Sequence, residues 1–238
     1  MKPKGMTPRQ RLLDTLAHRE PDRVPLHPQC GDEELARMVR QADLEPEVRD
    51  RFLHGDVDAV TFKGRKNDPV FRPYHRDTPP EATIDDWGGG HLRHPDSGTY
   101  LLTKKMYHPL AGMKDPEELA DYPFPDMSEP WRWEHLKAAI EASHVADRPV
   151  IGQMSQTVIE TCYQMRGMEA LFLDFYERPE FVRELFERIT EARCFQARTF
   201  ARLGVDVLRI GDDLGSQEAL LVSPAMYREW LKPHHARV

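Results

Sequence analysis

The sequence predicts an α/β fold built on a parallel sheet. Short apolar runs of strand composition alternate with helical segments of ten or more residues, the pattern of βαβ units. No G-x-G-x-x-G or Walker pattern follows any of those runs, which weakens a dinucleotide-binding reading. At 238 residues, 39% apolar and 31% charged, the chain is globular and long enough for one large domain or two small ones, with a real core. An open doubly wound sheet and a (β/α)8 barrel both satisfy the alternation.

The elements follow in order. Thr7-Pro8-Arg9-Gln10 is a capping box with proline at the first helical position, so a helix should run to about His18. "DRVPLHPQ" (Asp22 to Gln29) reads as a first strand. Asp32 to Leu53 reads as two short helices broken near Pro46, and "DAVTFK" (Asp58 to Lys63) as a second strand. A proline-rich excursion follows, with "DDWGGG" and a hairpin around "GTYLLTKKMYHPL"; residues 65–128 form a loop and hairpin insertion in this reading. Glu129 to Val145 is a helix and "PVIGQMS" (Pro149 to Ser155) a third strand. Thr157 to Leu203 is helical, with breaks near Gly167 and at Arg178-Pro179. "VDVLRIGD" is a fourth strand, and Ser223-Pro224 opens a last helix.

Bulk properties exclude several roles. A net charge of −7 argues against nucleic acid as the main partner. No apolar run is long enough for a membrane span, and the N-terminus lacks the apolar stretch of a signal peptide. Cys30, Cys162 and Cys194 are widely spaced and odd in number, so they read as reduced thiols in a cytoplasmic protein. A small-molecule substrate is the expected partner.

The strands carry the functional signal. Side chains alternate between faces, so in the fourth strand Leu208 and Ile210 share one face while Arg209 and Asp213 share the other. In the third, Val150, Gly152 and Met154 oppose Gln153 and Ser155. In the second, Val60 and Phe62 oppose Thr61 and Lys63; in the first, Leu26 opposes His27 and Gln29. The apolar face suits a helix layer. The polar face needs water or partners, because an unpaired buried cation is costly. A barrel supplies that place at its C-terminal mouth. Arg209, Asp213, Asp212, His27, Gln29, Thr61, Lys63, Gln153 and Ser155 are therefore expected to form a polar cup.

Each candidate has a structural alternative. Asp212 and Asp213 could start a turn and cap the next helix. Arg209 could sit in a buried ion pair. His27 and Cys30 have no diagnostic metal spacing, so a polar loop and a buried thiol are preferred. His234 and His235 read as solvated. Asp85-Asp86-Trp87-Gly88 is either a loop over the mouth or a hairpin anchor. Tyr163, near a strand end, either donates a hydrogen bond to substrate or packs. Leu171, Phe172 and Phe175 read as core.

"MTPRQRLLDTLAHREPDRVP", "HPLAGMKDPEELADYPFPD", "VIGQMS" before "YQMRGMEALFLDFYERPEFVRELFERI", and "VDVLRIGDDLGSQEALLVSPAMYREWLKP" together resemble the uroporphyrinogen decarboxylase superfamily, in order and over nearly the whole chain. The resemblance implies a (β/α)8 TIM barrel with its site at the C-terminal mouth, here an N-terminal partial barrel of about four parallel strands, since such barrels need about 250 residues or more. An isolated partial barrel is expected to expose an edge strand and apolar surface, and to be poorly stable or inactive. The superfamily includes the porphyrinogen decarboxylase and zinc-dependent methyltransferases that pass methyl groups between a corrinoid protein and a thiol such as coenzyme M. The decarboxylase carries an arginine-rich loop after strand one and an aspartate ending strand two. This sequence has "LHPQCGDEEL" and Phe62-Lys63-Gly64 at those places, though Tyr163 matches the decarboxylase tyrosine. "DDWG" and "GDDLGSQ" resemble the methyltransferase branch better. That branch implies zinc, whose ligands lie beyond the fourth strand, so no residue here is assigned to it. The leading expectation is methyl transfer, with Asp213, Asp212 and Tyr163 at the reacting centre and His27, Gln29, Lys63, Gln153, Ser155 and Arg209 binding substrate. Porphyrinogen decarboxylation (a lyase reaction) and a non-catalytic barrel binding a small molecule or a corrinoid protein are the alternatives.

Overall fold

A computed structural model of the chain describes residues 5–27, 32–42, 44, 45, 48, 55–93 and 103–238. The chain is α/β, with a parallel sheet of three strands and helices packed on one side of it. The sheet is part of a barrel, and the described strands do not close.

Helix α1 (Pro8–Leu16) starts where its capping box predicts: Thr7 Oγ1 accepts the Gln10 N–H at 3.2 Å. Helix α2 is Asp32–Gln41, and the continuation expected to Leu53 lies largely outside the described residues. The parallel sheet comprises β1 (Asp58–Val60), β5 (Val150–Ser155) and β6 (Val207–Gly211), in the order β1-β5-β6. Between β1 and β5 the chain forms an antiparallel sheet of β2 (Thr83–Ile84), β3 (Gly90–Arg93) and β4 (Thr103–Tyr107). Helix α3 (Glu134–Val145) starts later than Glu129, because Pro130–Arg132 forms a 3-10 turn first.

The helical stretch after β5 breaks where expected. It divides into α4 (Ile159–Arg166), α5 (Met168–Glu177) and α6 (Pro179–Leu203), with Gly167 at φ 92° between the first two. Only glycine adopts that backbone without strain. Buried Arg166 fixes the corner: its Nε donates to Asp174 Oδ2 at 2.7 Å and its Nη1 to the Met113 carbonyl at 2.8 Å. Ser223 caps α7 (Pro224–Met226), which passes through a π-helical turn (Tyr227–Leu231) into α8 (Lys232–Arg237).

The expected first strand is corrected. Residues 22–27 are not strand, and Pro28 and Gln29 lie outside the described residues, so three parallel strands stand among the described residues where four were expected. The reason is Asp56. Its carboxylate accepts the Leu26 N–H at 2.7 Å, its own N–H donates to the Leu26 carbonyl, and Pro25 has no N–H to give. Both backbone polar groups of Leu26 are thus held by one residue rather than by a ladder.

Two constraints set the sheet. On the helix side, Val150 and Met154 pack with Phe62, Leu136, Ile140, Ala197 and Phe200. A Cβ at Gly152 would lie 2.7 Å from the Phe200 ring, so α6 approaches β5 more closely than a side chain allows. Around the N-terminal ends of the strands, carboxylates are saturated by ion pairs. Asp56 takes Arg11 (2.7 Å) and Arg23 (2.5 Å); Asp58 takes Arg148 (2.8 Å). Asp206 takes Arg9 (2.6 Å), His144 (2.9 Å) and the Val150 N–H (2.9 Å). Burial alone would raise the Asp206 pKa, but these partners hold it below the usual carboxylate range. β6 is an edge among the described strands, and Leu208 and Ile210 on its helix-side face are 37% and 45% exposed.

Gly152→Ala is expected to cost about 1–3 kcal/mol by overpacking, read as a lower urea midpoint at unchanged slope. An unchanged midpoint would mean that α6 yields freely. Hydrogen bonds from Arg11 lower the Asp22 pKa from 3.8 to about 2. A depressed carboxylate stabilises the folded state fully above its unfolded value and loses that contribution as pH falls through its folded value. The stability difference between the wild type and Asp22→Asn should therefore be constant above pH 3.8 and shrink toward pH 2; urea titrations across that window check it.

Candidate functional site

At the C-terminal ends of β1 and β5 lies a cleft of about 450 Å³. Its floor follows from register. Gly152 pairs with Leu208, Gln153 with Arg209 and Ser155 with Gly211, so Gln153, Ser155 and Arg209 share the face away from Phe200. Ala59 pairs with Ile151 on that face, and Thr61 and Lys63 continue it by alternation. Thr61, Lys63, Gln153 and Ser155 all line the cleft. Gln153 Nε2 donates to Ser155 Oγ at 3.0 Å. Arg209 is close enough to His27 for its charge to act there: burial first, and then Arg209, push the His27 pKa below the usual imidazole range.

The loop between β2 and β3 closes one side. Asp85 Oδ1 accepts the N–H groups of Trp87 and Gly89, both at 2.8 Å, and Asp85 Oδ2 meets His91 Nε2 at 2.7 Å. Asp86 pairs with Arg132 at 2.5 Å. Asp86 and Trp87 line the cleft, so the loop is both a well-anchored turn and a wall of the mouth.

The opposite wall comes from α6. Arg193, 6% exposed, extends its guanidinium over the Trp87 ring at 4.8 Å from the centroid. Nε donates to the Thr157 carbonyl (3.1 Å), Nη1 to Gln196 Oε1 (2.9 Å), and Nη2 to the Gln156 carbonyl (2.8 Å) and Thr161 Oγ1 (3.0 Å). Burial lowers its pKa to about 10 against the opposing pull of Asp212 and Asp86. The sequence reading missed Arg193 and Gln196. The signal was present: Phe186, Ile189, Ala197 and Phe200 form an apolar stripe at helical spacing, and Arg193 falls on it.

The residues after β6 form a second polar group. Asp212 does not cap the helix that follows it. Its carboxylate accepts the N–H groups of Val158 (2.9 Å), Ile159 (3.3 Å) and Glu160 (3.1 Å), and so holds the start of α4 from across the sheet. Its Oδ2 also meets His235 Nε2 at 2.7 Å. The reading of His234 and His235 as solvated is corrected: His234 Nδ1 lies 2.8 Å from buried Thr190 Oγ1, with its ring edge-on to Phe186. Asp213 is exposed. Glu160, not singled out in the sequence, is raised above the usual carboxylate range by burial and by Asp212. Tyr163 is raised by burial, then by Glu160 and the two aspartates.

The expected cup is thus two groups. Thr61, Lys63, Gln153 and Ser155 line the cleft, with Arg209 and His27 farther along the same sheet side. Asp212, Asp213 and Tyr163 belong with Glu160 at the end of β6. Gln29 and Cys30 lie outside the described residues. The donor set does not fit zinc: among the described residues no three of His, Cys, Asp and Glu are arranged to hold a metal ion. Cys162 is fully buried, and burial drives its thiol pKa well up. Cys194 donates to the Arg237 carbonyl at 3.4 Å. No helix among the described residues is long and apolar enough to cross a membrane.

A partial α/β barrel with a polar cleft at its strand ends defines the class. The model of the uroporphyrinogen decarboxylase (URO-D) family matches residues 106–238, more than half of the chain, and the chain belongs to that family. None of the curated proteins matches it. Among solved structures it is similar to a methyltransferase from Methanosarcina mazei, at 18% identity and a TM-score of 0.49, over 96% of this chain. The chain spans 65% of the length of that protein.

Asp212→Ala is expected to lower stability by at least about 2 kcal/mol, since three N–H donors and an imidazole lose a charged acceptor. Exposed Asp213→Asn should change it by less than about 0.5 kcal/mol. Urea titration of both variants checks the division; equal effects would contradict it.

Proposed function

We propose that this chain forms the substrate cleft of a methyl-transfer enzyme of the URO-D family, acting on a small molecule and a corrinoid. The observation that carries the reading is the balance of charge in the cleft. A porphyrinogen bears carboxylates around its rim and needs several open cations to bind them. Among the described residues the cations lining this cleft are Lys63 and Arg193, and four Arg193 hydrogen bonds are already taken within the protein. Thr61, Gln153, Ser155 and Gln196 supply neutral donors and acceptors instead. Such groups suit the amides of a corrinoid periphery or a small polar methyl donor. A cleft of about 450 Å³ is of small-molecule size.

In this reading the cleft residues orient the reactants by hydrogen bonding, which lowers the entropic part of the barrel's task. Gln153 and Ser155 hold the ligand from the floor, Lys63 meets an acceptor at the rim, and the loop of Trp87 limits water entry. In that family branch zinc would hold the attacking thiol; the residues described do not provide its ligands, and no step here is assigned to it. A corrinoid protein is the proposed macromolecular partner.

The test is binding of methylcobalamin, followed by absorbance, beside uroporphyrinogen in a parallel titration. Methylcobalamin is expected to bind, with Gln153→Leu weakening it by about tenfold at unchanged melting temperature. Binding of uroporphyrinogen without methylcobalamin would overturn the proposal.

A further inference from the structure

Arg193 is a buried cation with no carboxylate at ion-pair distance among the described residues. Its contacts instead join separate parts of the chain: the Gln156–Thr157 turn after β5, Thr161 on α4, Gln196 on α6, and Trp87 on the loop between β2 and β3. Gln156 sits at φ 58°, a left-handed conformation unusual for a residue other than glycine, and such backbone persists where its surroundings fix it. Its carbonyl accepts from both Arg193 and Thr161. Trp87 has its backbone fixed independently, by Asp85 at its N–H and by the Tyr122 hydroxyl at its carbonyl (2.6 Å). The indole ring is what meets the guanidinium.

We infer that Arg193 is a positioning residue: it fixes the Trp87 indole and the Gln156–Thr157 turn in one arrangement, and through them sets the shape of the cleft. This rests on the cleft being the ligand site proposed above. The planar fork is essential to the role. One edge reaches two carbonyls and a hydroxyl while the flat face covers an aromatic ring. A lysine retains the charge but offers neither the fork nor the plane. The side chain touches no reacting atom in this assignment and acts only through Trp87 and the turn.

The experiment labels the protein with 5-fluorotryptophan. The four tryptophans give four fluorine resonances, and Trp87→Phe identifies the one that matters. Arg193→Lys is expected to shift the Trp87 resonance and leave the other three in place. Hydroxocobalamin, followed by absorbance, is the binding probe. Arg193→Lys and Trp87→Leu are each expected to weaken its binding by about tenfold, and the double variant by no more than the worse single one. An unmoved Trp87 resonance, or single effects that multiply in the double variant, would overturn the assignment. Where Arg193→Lys yields too little folded protein, Trp87→Leu decides: weaker binding at unchanged melting temperature supports the role, and unchanged binding removes it. If the wild type does not bind hydroxocobalamin, the methyl-transfer reading fails, while the Trp87 resonance still decides the part played by Arg193.

Discussion

One carboxylate, that of Asp212, holds together the mouth of this molecule. It lies just past the end of β6, is almost fully buried, and is shared by three N–H groups at the start of α4 and the imidazole of His235. A helix start leaves unpaired N–H groups that need an acceptor, and here the acceptor comes from a strand more than fifty residues away in sequence. That contact fixes where α4 begins. The beginning of α4 places Thr161, Thr161 accepts from Arg193, and Arg193 covers Trp87. The cleft wall is the last link of a series that starts at Asp212. Thr157 reinforces the first link, since its N–H donates to the Gly211 carbonyl and its hydroxyl accepts the Gly211 N–H.

The two ends of the parallel sheet treat charge differently. Around its N-terminal ends, Asp56, Asp58 and Asp206 are each matched by arginine, and backbone N–H groups take up further acceptor capacity on Asp56 and Asp206. Such saturated pairs fix geometry and leave nothing for a ligand. At the C-terminal ends, Lys63, Gln153 and Ser155 point into a cleft and retain hydrogen-bonding capacity. The contrast follows the general division of parallel α/β barrels into a stabilising end and a functional end. It also explains why Arg193 stands apart from Arg166. Both are buried, but Arg166 is neutralised by Asp174 at a helix corner, whereas Arg193 spends its donors on neutral acceptors beside open space.

Much of this was legible in the sequence where periodicity alone decides. "VIGQMS" and "VLRIGD" have period-two polarity, and their register puts Gln153 and Arg209 on one face and Met154 and Ile210 on the other. The α4–α5–α6 breaks were legible because Gly167 and Pro179 act locally. The failures have one physical cause: partners distant in the chain. "DRVPLH" has strand composition, but Asp56 takes the backbone groups of Leu26. His234 and His235 look like a polar tail, yet their partners Thr190 and Asp212 come from α6 and the end of β6. Asp212 has the composition of a local cap and serves a remote one.

The face of β6 bearing Leu208 and Ile210 shows how far side-chain pattern and burial can separate. The pattern assigns these residues to the helix layer, and register agrees, since they lie beside Gly152 and Met154. Yet Met154 is 1% exposed while Ile210 is 45% exposed. The difference is cover: α6 packs over β5, with Phe200 filling the space that Gly152 leaves, and reaches β6 less fully. A strand's pattern therefore reports which face is apolar, and a neighbouring element decides whether that face is dry. The same reasoning applies to the polar side. Alternation brought Lys63, Gln153, Ser155 and Arg209 to one face, but the cleft exists because Arg193 and Trp87 arrive from a helix and a loop that the strands do not specify.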